Sequence, residues 1–414
     1  MQITADLEAL SHRFHRVRAR TRQIFDLLAP DAFALRPIPL RHPIRFYEGH
    51  LASFNFGMLL QSGFVEHDPQ PELTSLFARG IDPLDEASAT RASIHQWPER
   101  AVVHDYIERV DQRMANAFEE GVDPLYLNTA MEHEEMHQET LIYLIHRLPH
   151  ELKSRPENAR VEQGNGAGRS QWQCVEGGLV RMGADSNTVA FGWDNEFPAT
   201  EAEVPSFELQ SRKVSNGDFL EFVADGGYGR EALWSAGAWQ HLREHAIEQP
   251  PFWERRGGEW FQRALFEDLP LPMEWPVYVS HIEAQAYARW CGGRLPTEPE
   301  WHRAFANGAV PDPQRDNFDF VTWNPAPVSN ASGEVHQLAG NGWEWTSTVF
   351  AGFPGFAPFP HYPGYSADFF DGRHFVLKGA SPVTPASLVR PSFRNWFQDQ
   401  YRYAYTAFRC ARDA

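Results

Sequence analysis

The octet His133-Glu134-Glu135-Met136-His137-Gln138-Glu139-Thr140 lies inside a run, Leu127 to Leu148, whose apolar residues recur at three- and four-residue spacing. That period predicts a helix over Pro124 to Leu148. At about 3.6 residues per turn, His133 and His137 stand one turn apart on nearly the same face, so two imidazoles can converge on one metal ion. The same pair can equally cap a surface or fill a core edge, and a metal site needs a third ligand. Glu139, two residues beyond His137, points to the opposite side of the helix. His50, among apolar neighbours in the amphipathic segment Ile44 to Leu60, is the candidate third ligand, although such a histidine also fits a packed core.

Working outward, three further segments carry helical periodicity: Ala5 to Ala29, His42 to Gly63 and Glu99 to Glu120. Pro30, Pro37, Pro39, Gly121 and Pro124 punctuate them. A four-helix bundle over residues 1–152 follows, and bundles present metal ligands from facing inner surfaces. Residues 153–170 turn polar and glycine-rich, as expected of a linker. From 171 to 414 the pattern changes to short strands and loops dense in Gly, Pro and Trp, with two clear helices near Asn216 to Ala224 and Ile282 to Cys291. The chain reads as α+β in two domains.

Composition narrows the function. A formal charge of −18 argues against nucleic acid or an anionic membrane as partner, since both reward clustered Lys and Arg. No stretch approaches the roughly 18 consecutive apolar residues of a spanning helix, and the N-terminus lacks the apolar core of a signal peptide. A cytoplasmic protein is expected. Cys174, Cys291 and Cys410 form no CxxC or zinc-type spacing, so neither a disulfide framework nor a thiolate metal site is suggested. Most of the 14 Trp and 30 Phe lie after residue 170 and read first as packing.

The second half carries a collinear series of segments: Gly177-Gly178-Leu179-Val180-Arg181-Met182-Gly183, Asp194-Asn195-Glu196-Phe197-Pro198, Lys213-Val214-Ser215-Asn216 leading into Phe219, Arg294-Leu295-Pro296-Thr297-Glu298-Pro299-Glu300-Trp301, Gly340-Asn341-Gly342-Trp343-Glu344-Trp345-Thr346 and Phe408-Arg409-Cys410-Ala411. Together they resemble the formylglycine-generating-enzyme/sulfatase-modifying-factor fold, a C-type-lectin-like domain. The RLPTEPEW and GNGWEWT segments read as scaffold turns and packing. The thiol pair that oxidising members of that fold use is not evident, because Cys410 has no near partner in the sequence, and formylglycine formation is not expected.

A DinB-like helical bundle bearing His-x3-His-x-Glu ahead of that domain resembles the sulfoxide synthases of ergothioneine and ovothiol biosynthesis and their selenium relative, selenoneine synthase. The resemblance covers nearly the whole chain. It implies that His50, His133 and His137 hold a non-haem Fe(II), that hercynine and O2 are substrates, and that a sulfur or selenium donor is joined to the imidazole C2 carbon. Three nitrogens on one face leave positions open on an octahedral ion, although imidazoles suit Zn(II) equally. Asn395 in Phe393-Arg394-Asn395-Trp396 matches the hercynine contact of the family's FRNW, and Trp396, Phe397 and Tyr362 are candidate aromatic walls for its quaternary ammonium.

Several positions depart from that pattern. Members that use γ-glutamylcysteine have an aspartate directly after FRNW and an arginine four positions on. Phe397 and Tyr401 stand there instead, and an aromatic pair cannot form those charge-assisted bonds. Phe359 aligns with the family's catalytic tyrosine, which leaves Tyr362 as the candidate proton donor. Met136 replaces a glutamine beside the second histidine, and Gly379-Ala380-Ser381-Pro382 replaces GGSW. These departures point to a selenosugar as donor, with cysteine or γ-glutamylcysteine as the alternative thiol. Two rivals of other classes remain: a zinc-dependent thiol transferase, and a non-enzymatic binding module with structural histidines.

Overall fold

Asp123 opens the helix that carries the octet: its side chain accepts from the Leu125 N–H at 2.9 Å, Pro124 occupies the first turn, and His146 and Arg147 fall in the last. An acceptor at the start and basic groups at the end suit the unpaired backbone groups and dipole of a helix. A computed structural model describes residues 2–39, 41–78, 97–164, 166, 168–306, 310–328 and 335–414, and they divide into two units, Met1–Pro156 and Glu157–Ala414. The division falls inside the stretch 153–170 read as a linker. In the first unit the backbone of Ser154 bonds to Leu27 O at 2.7 Å, and in the second that of Arg160 bonds to Thr322 O at 3.0 Å.

The first unit contains α1 (Gln2–Asp26), α2 (Ile44–Gln61), α3 (Pro71–Phe77), α4 (Arg100–Glu120) and α5 (Pro124–Arg147). The four long helices match the periodic segments within a few residues; α1 starts and ends three residues ahead of the Ala5 to Ala29 segment, and Pro30 then opens a 3-10 turn, Pro30–Ala34. Gly121, left-handed at φ 82°, stops α4. Phe14, Phe56, Leu59, Tyr106, Met114, Leu127 and Met131 fill the core between these helices. Seven residues make too short a window for a helical period, so α3 was not expected from the sequence.

The second unit is built of short strands: β1 (Trp172–Val175), β2 (Gly178–Met182), β3 (Thr200–Val204), β4 (Phe207–Gln210), β5 (Trp253–Arg256), β6 (Glu259–Arg263), β7 (Asp268–Pro270), β8 (Trp343–Val349), β9 (His374–Lys378), β10 (Asn395–Gln398), β11 (Thr406–Ala407) and β12 (Ala411–Asp413). They form sheets in the orders β1-β4-β12, β10-β9-β8-β11, β2-β3 and β5-β6-β7. Two helices lie where expected, α6 (Asn216–Ala224) and α8 (His281–Trp290). The reading of two helices was too few, because α7 (Ala236–Glu244) and α9 (Glu298–Phe305) are also present. Each starts at a hydroxyl cap, Ser235 accepting from Ala238 N–H and Thr297 accepting from Glu300 N–H.

The quoted segments form the scaffold of this unit. Arg294 grips Glu300 at 2.6 Å, Arg394 grips Glu298 at 2.9 Å, and Arg409 grips Glu344 at 2.7 Å alongside Lys213 at 2.8 Å. Arg294 is partly exposed, but the Arg394–Glu298 and Arg409–Glu344–Lys213 groups are buried on both sides and costly to break from one, because the remaining charge is stranded. Cys410 does have a near partner: the Cys291 thiol at the end of α8 donates to Cys410 Sγ at 3.6 Å, across a sequence separation that no spacing rule reads.

Gly342 sits between Asn341 and β8 at φ 129°, and a Cβ there would lie 2.8 Å from the Tyr278 ring and 2.9 Å from the Ala407 side chain. Gly342→Ala is therefore expected to destabilise the second unit by about 2 kcal/mol or more, read as a lower midpoint for that unit in thermal unfolding.

Candidate metal centre and aromatic site

His50 is presented by α2, and His133 and His137 by successive turns of α5. One ring nitrogen from each lies within 4.8 Å of the others. His50 Nε2 and His137 Nε2 are 3.3 Å apart. Metal–nitrogen bonds of about 2.0–2.1 Å place neighbouring ligand nitrogens about 3 Å apart around one ion, so the spacing suits a shared metal. The Nδ1–H of His50 donates to Phe77 O at 2.8 Å, which fixes the tautomer and turns the Nε2 lone pair inward. That carbonyl belongs to α3, the helix the sequence did not reveal.

Burial and the neighbouring rings keep the three imidazoles neutral. The His50 pKa falls to about 4, chiefly through burial. Burial likewise holds His133 and His137 well below the usual histidine range, with the other histidines adding to the shift. Neutral imidazole is the form that binds metal. Phe54 lies flat on His133 at 3.4 Å between centroids, and Phe46 stacks on His50 at 5.1 Å. Met136 is half-buried between the two α5 histidines in sequence. Glu139 is engaged elsewhere, as acceptor for the Tyr143 hydroxyl.

Beside His133, Glu134 enters a buried network the sequence reading missed. It accepts from Arg18 at 2.7 Å, Thr21 at 2.6 Å and Asn55 at 3.2 Å, and Arg18 also meets Asp111 at 2.8 Å. The network ties α1, α2, α4 and α5 together around the histidine turn. The signal available in sequence was an acidic residue inside an apolar-periodic helix, which has to be matched by a cation.

In the second unit β10 pairs antiparallel with β9 and carries Asn395, Trp396 and Phe397. Side chains alternate along a strand, so Trp396 and Phe397, grouped as walls from the sequence, face opposite sides. Trp396 stacks on Phe350 at 4.3 Å and meets Tyr365 edge-on at 5.3 Å. Phe397 lies parallel to Tyr401 at 4.6 Å and 3°. Asn395 Oδ1 accepts from the Trp396 N–H at 2.8 Å. Phe359 and Tyr362 sit on one loop, where the Tyr362 N–H bonds to Phe359 O at 3.1 Å. Phe359 neighbours His361, and Tyr362 neighbours Trp193 and Tyr365. Burial first, and then the Asp194 charge, push the Tyr362 hydroxyl up to about 12.

Comparison with known proteins matches residues 13–152 to the DinB superfamily, and residues 161–331 and 311–414 to the sulfatase-modifying factor enzyme 1-like domain. Hercynine oxygenase of Mycobacterium tuberculosis is 32% identical over 434 residues, spanning 98% of this chain and 99% of that protein. Hercynine oxygenase of Mycolicibacterium smegmatis is 36% identical over 264 residues, 58% of this chain and 60% of its own. Ergothioneine biosynthesis protein 1 of Neurospora crassa is 25% identical across 94% of this chain and 56% of its own length. The chain therefore belongs to the ergothioneine-type sulfoxide synthase family, in which a DinB-like bundle precedes a sulfatase-modifying-factor domain.

Two substitutions separate the roles of adjacent residues on α5. His133→Ala is expected to weaken metal binding by more than about 100-fold, measured as metal retained after gel filtration. Glu134→Ala leaves Arg18 with Asp111 alone and takes the acceptor from Thr21 and Asn55, and is expected to cost about 2 kcal/mol or more of stability, measured by denaturant unfolding.

Proposed function

We propose that this chain is an O2-dependent non-haem iron enzyme that joins hercynine, through its imidazole C2 carbon, to a chalcogen donor, with a selenosugar the favoured donor. The observation that carries the reading is the set of three neutral histidines with converging nitrogens, in a chain aligned end to end with a hercynine oxygenase. The reaction balances as hercynine C2–H plus a selenol plus O2 giving the selenoxide conjugate plus water. His50, His133 and His137 would hold the ion, which supplies Lewis acidity and the redox capacity to use dioxygen.

The remaining roles fall to side chains of this chain. Phe46 and Phe54 stack on the faces of His50 and His133 and so fix the orientation of those rings. Asn395 and the aromatic rings bind hercynine, and Met136, between the two α5 histidines in sequence, is a further candidate contact. Tyr362, its hydroxyl raised to about 12, is protonated at neutral pH and can give a proton to a developing anion. For the donor, the parallel Phe397–Tyr401 pair supports a neutral, ring-shaped ligand over a charged dipeptide.

The test supplies Fe(II), hercynine and O2 and compares a selenosugar, cysteine and γ-glutamylcysteine by mass spectrometry of the products. Preferential coupling of the selenosugar is expected. Coupling of γ-glutamylcysteine alone would contradict the reading of Phe397 and Tyr401. Turnover with zinc and without O2 consumption would instead make the chain a thiol transferase.

A further inference from the structure

Among the described residues of the second unit, buried carboxylates come with a cation, with one exception beside Tyr362. Glu196 is held by Arg390 at 2.5 Å, Glu283 by Arg402 at 3.0 Å, Glu298 by Arg394 at 2.9 Å and Glu344 by Arg409 at 2.7 Å. Asp194 is 1% exposed and has no cation partner among the described residues. Its Oδ1 accepts from the Ser366 hydroxyl at 2.6 Å, and its Oδ2 is buried without a hydrogen-bond partner. The backbone N–H groups of Asn195 and Phe359 lie toward the carboxylate. Burying a charge without a cation is expensive, and a residue kept only for packing has no need of it. Such unneutralised groups concentrate where function requires them.

The partners show what Asp194 does. Phe359 and Ser366 bracket the loop segment that carries Tyr362, and the same carboxylate faces both ends of it. Trp193, adjacent in sequence, stacks on Tyr365 of that segment at 4.0 Å. Glu196, already paired with Arg390, is a charged group that acts on this carboxylate, and Arg394, whose Nη1 donates to the adjacent Asn195 O at 3.2 Å, has its Nε committed to Glu298. We propose that Asp194 is a positioning residue for the reaction: it clamps the segment from Phe359 to Ser366 and so sets where the Tyr362 hydroxyl stands and what charge it faces. The proposal rests on the reading of Tyr362 as proton donor.

A double-mutant cycle on turnover tests it. Asp194→Asn keeps the shape and removes the charge, Ser366→Ala removes one anchor, and Tyr362→Phe removes the hydroxyl; folding of each is checked by circular dichroism and thermal unfolding. Asp194→Asn is expected to lower kcat about tenfold, with a change of under about twofold in the KM for hercynine, and Ser366→Ala to act in the same direction more weakly. In the Tyr362→Phe background Asp194→Asn should produce no further loss, because its effect passes through the hydroxyl. If Tyr362→Phe slows turnover and Asp194→Asn does not, or if the two losses multiply, the positioning role is overturned while Tyr362 keeps its own. If Tyr362→Phe turns over as the unaltered protein does, the reading of Tyr362 falls, and the positioning role falls with it. Should Asp194→Asn fail to fold, Ser366→Ala carries the same cycle, with the same outcomes deciding.

Discussion

Three imidazoles crowded together inside a helical bundle, two of them buried and His137 partly so, can share that space only if none of them is charged and their inward nitrogens present lone pairs. That constraint governs the first unit. It accounts for the His50 Nδ1–H being spent on Phe77 O, for the aromatic faces laid against His50 and His133, and for the carboxylates of α5 being turned to other partners. Lone pairs converging at this distance repel one another, and a bound cation converts the repulsion into ligation. The Glu134–Arg18–Asp111 network fixes the turn of α5 on which the arrangement depends, much as outer-shell partners orient ligands in metal sites generally.

The second unit meets a different problem, holding a fold of short strands and loops together. It does so with buried Arg–carboxylate pairs that join segments far apart in sequence and with tryptophans packed among them. Against that rigid frame the aromatic site is an edge strand and a loop. Strand alternation on β10 separates Trp396, locked into the packing on Phe350, from Phe397, which is free to pair with Tyr401.

Much of this was legible in the sequence where the chain obeys a period. The four long helices follow the three-four spacing, and the i, i+4 geometry of His133 and His137 follows from the helix itself. His50 was legible as no more than a candidate until the resemblance singled it out, because one histidine in an apolar segment has no spacing to betray it. What was missed lies beyond local patterns. Helix α3 is too short to show a period, yet it supplies the carbonyl that orients His50. Helix α9 announces itself in the sequence only through its Thr297–Glu300 capping box, a local signal that a turn shares. Cys291 and Cys410 meet through tertiary packing alone, and the opposite facing of Trp396 and Phe397 needed β10 to be recognised as a strand.

The most direct test of the metal centre is X-ray absorption at the iron edge of protein loaded anaerobically with Fe(II). Three histidine rings are expected in the outer-shell scattering, with nitrogen and oxygen ligands completing the first shell and no sulfur. A spectrum with one imidazole or none, or with a sulfur ligand from the protein, would contradict that assignment.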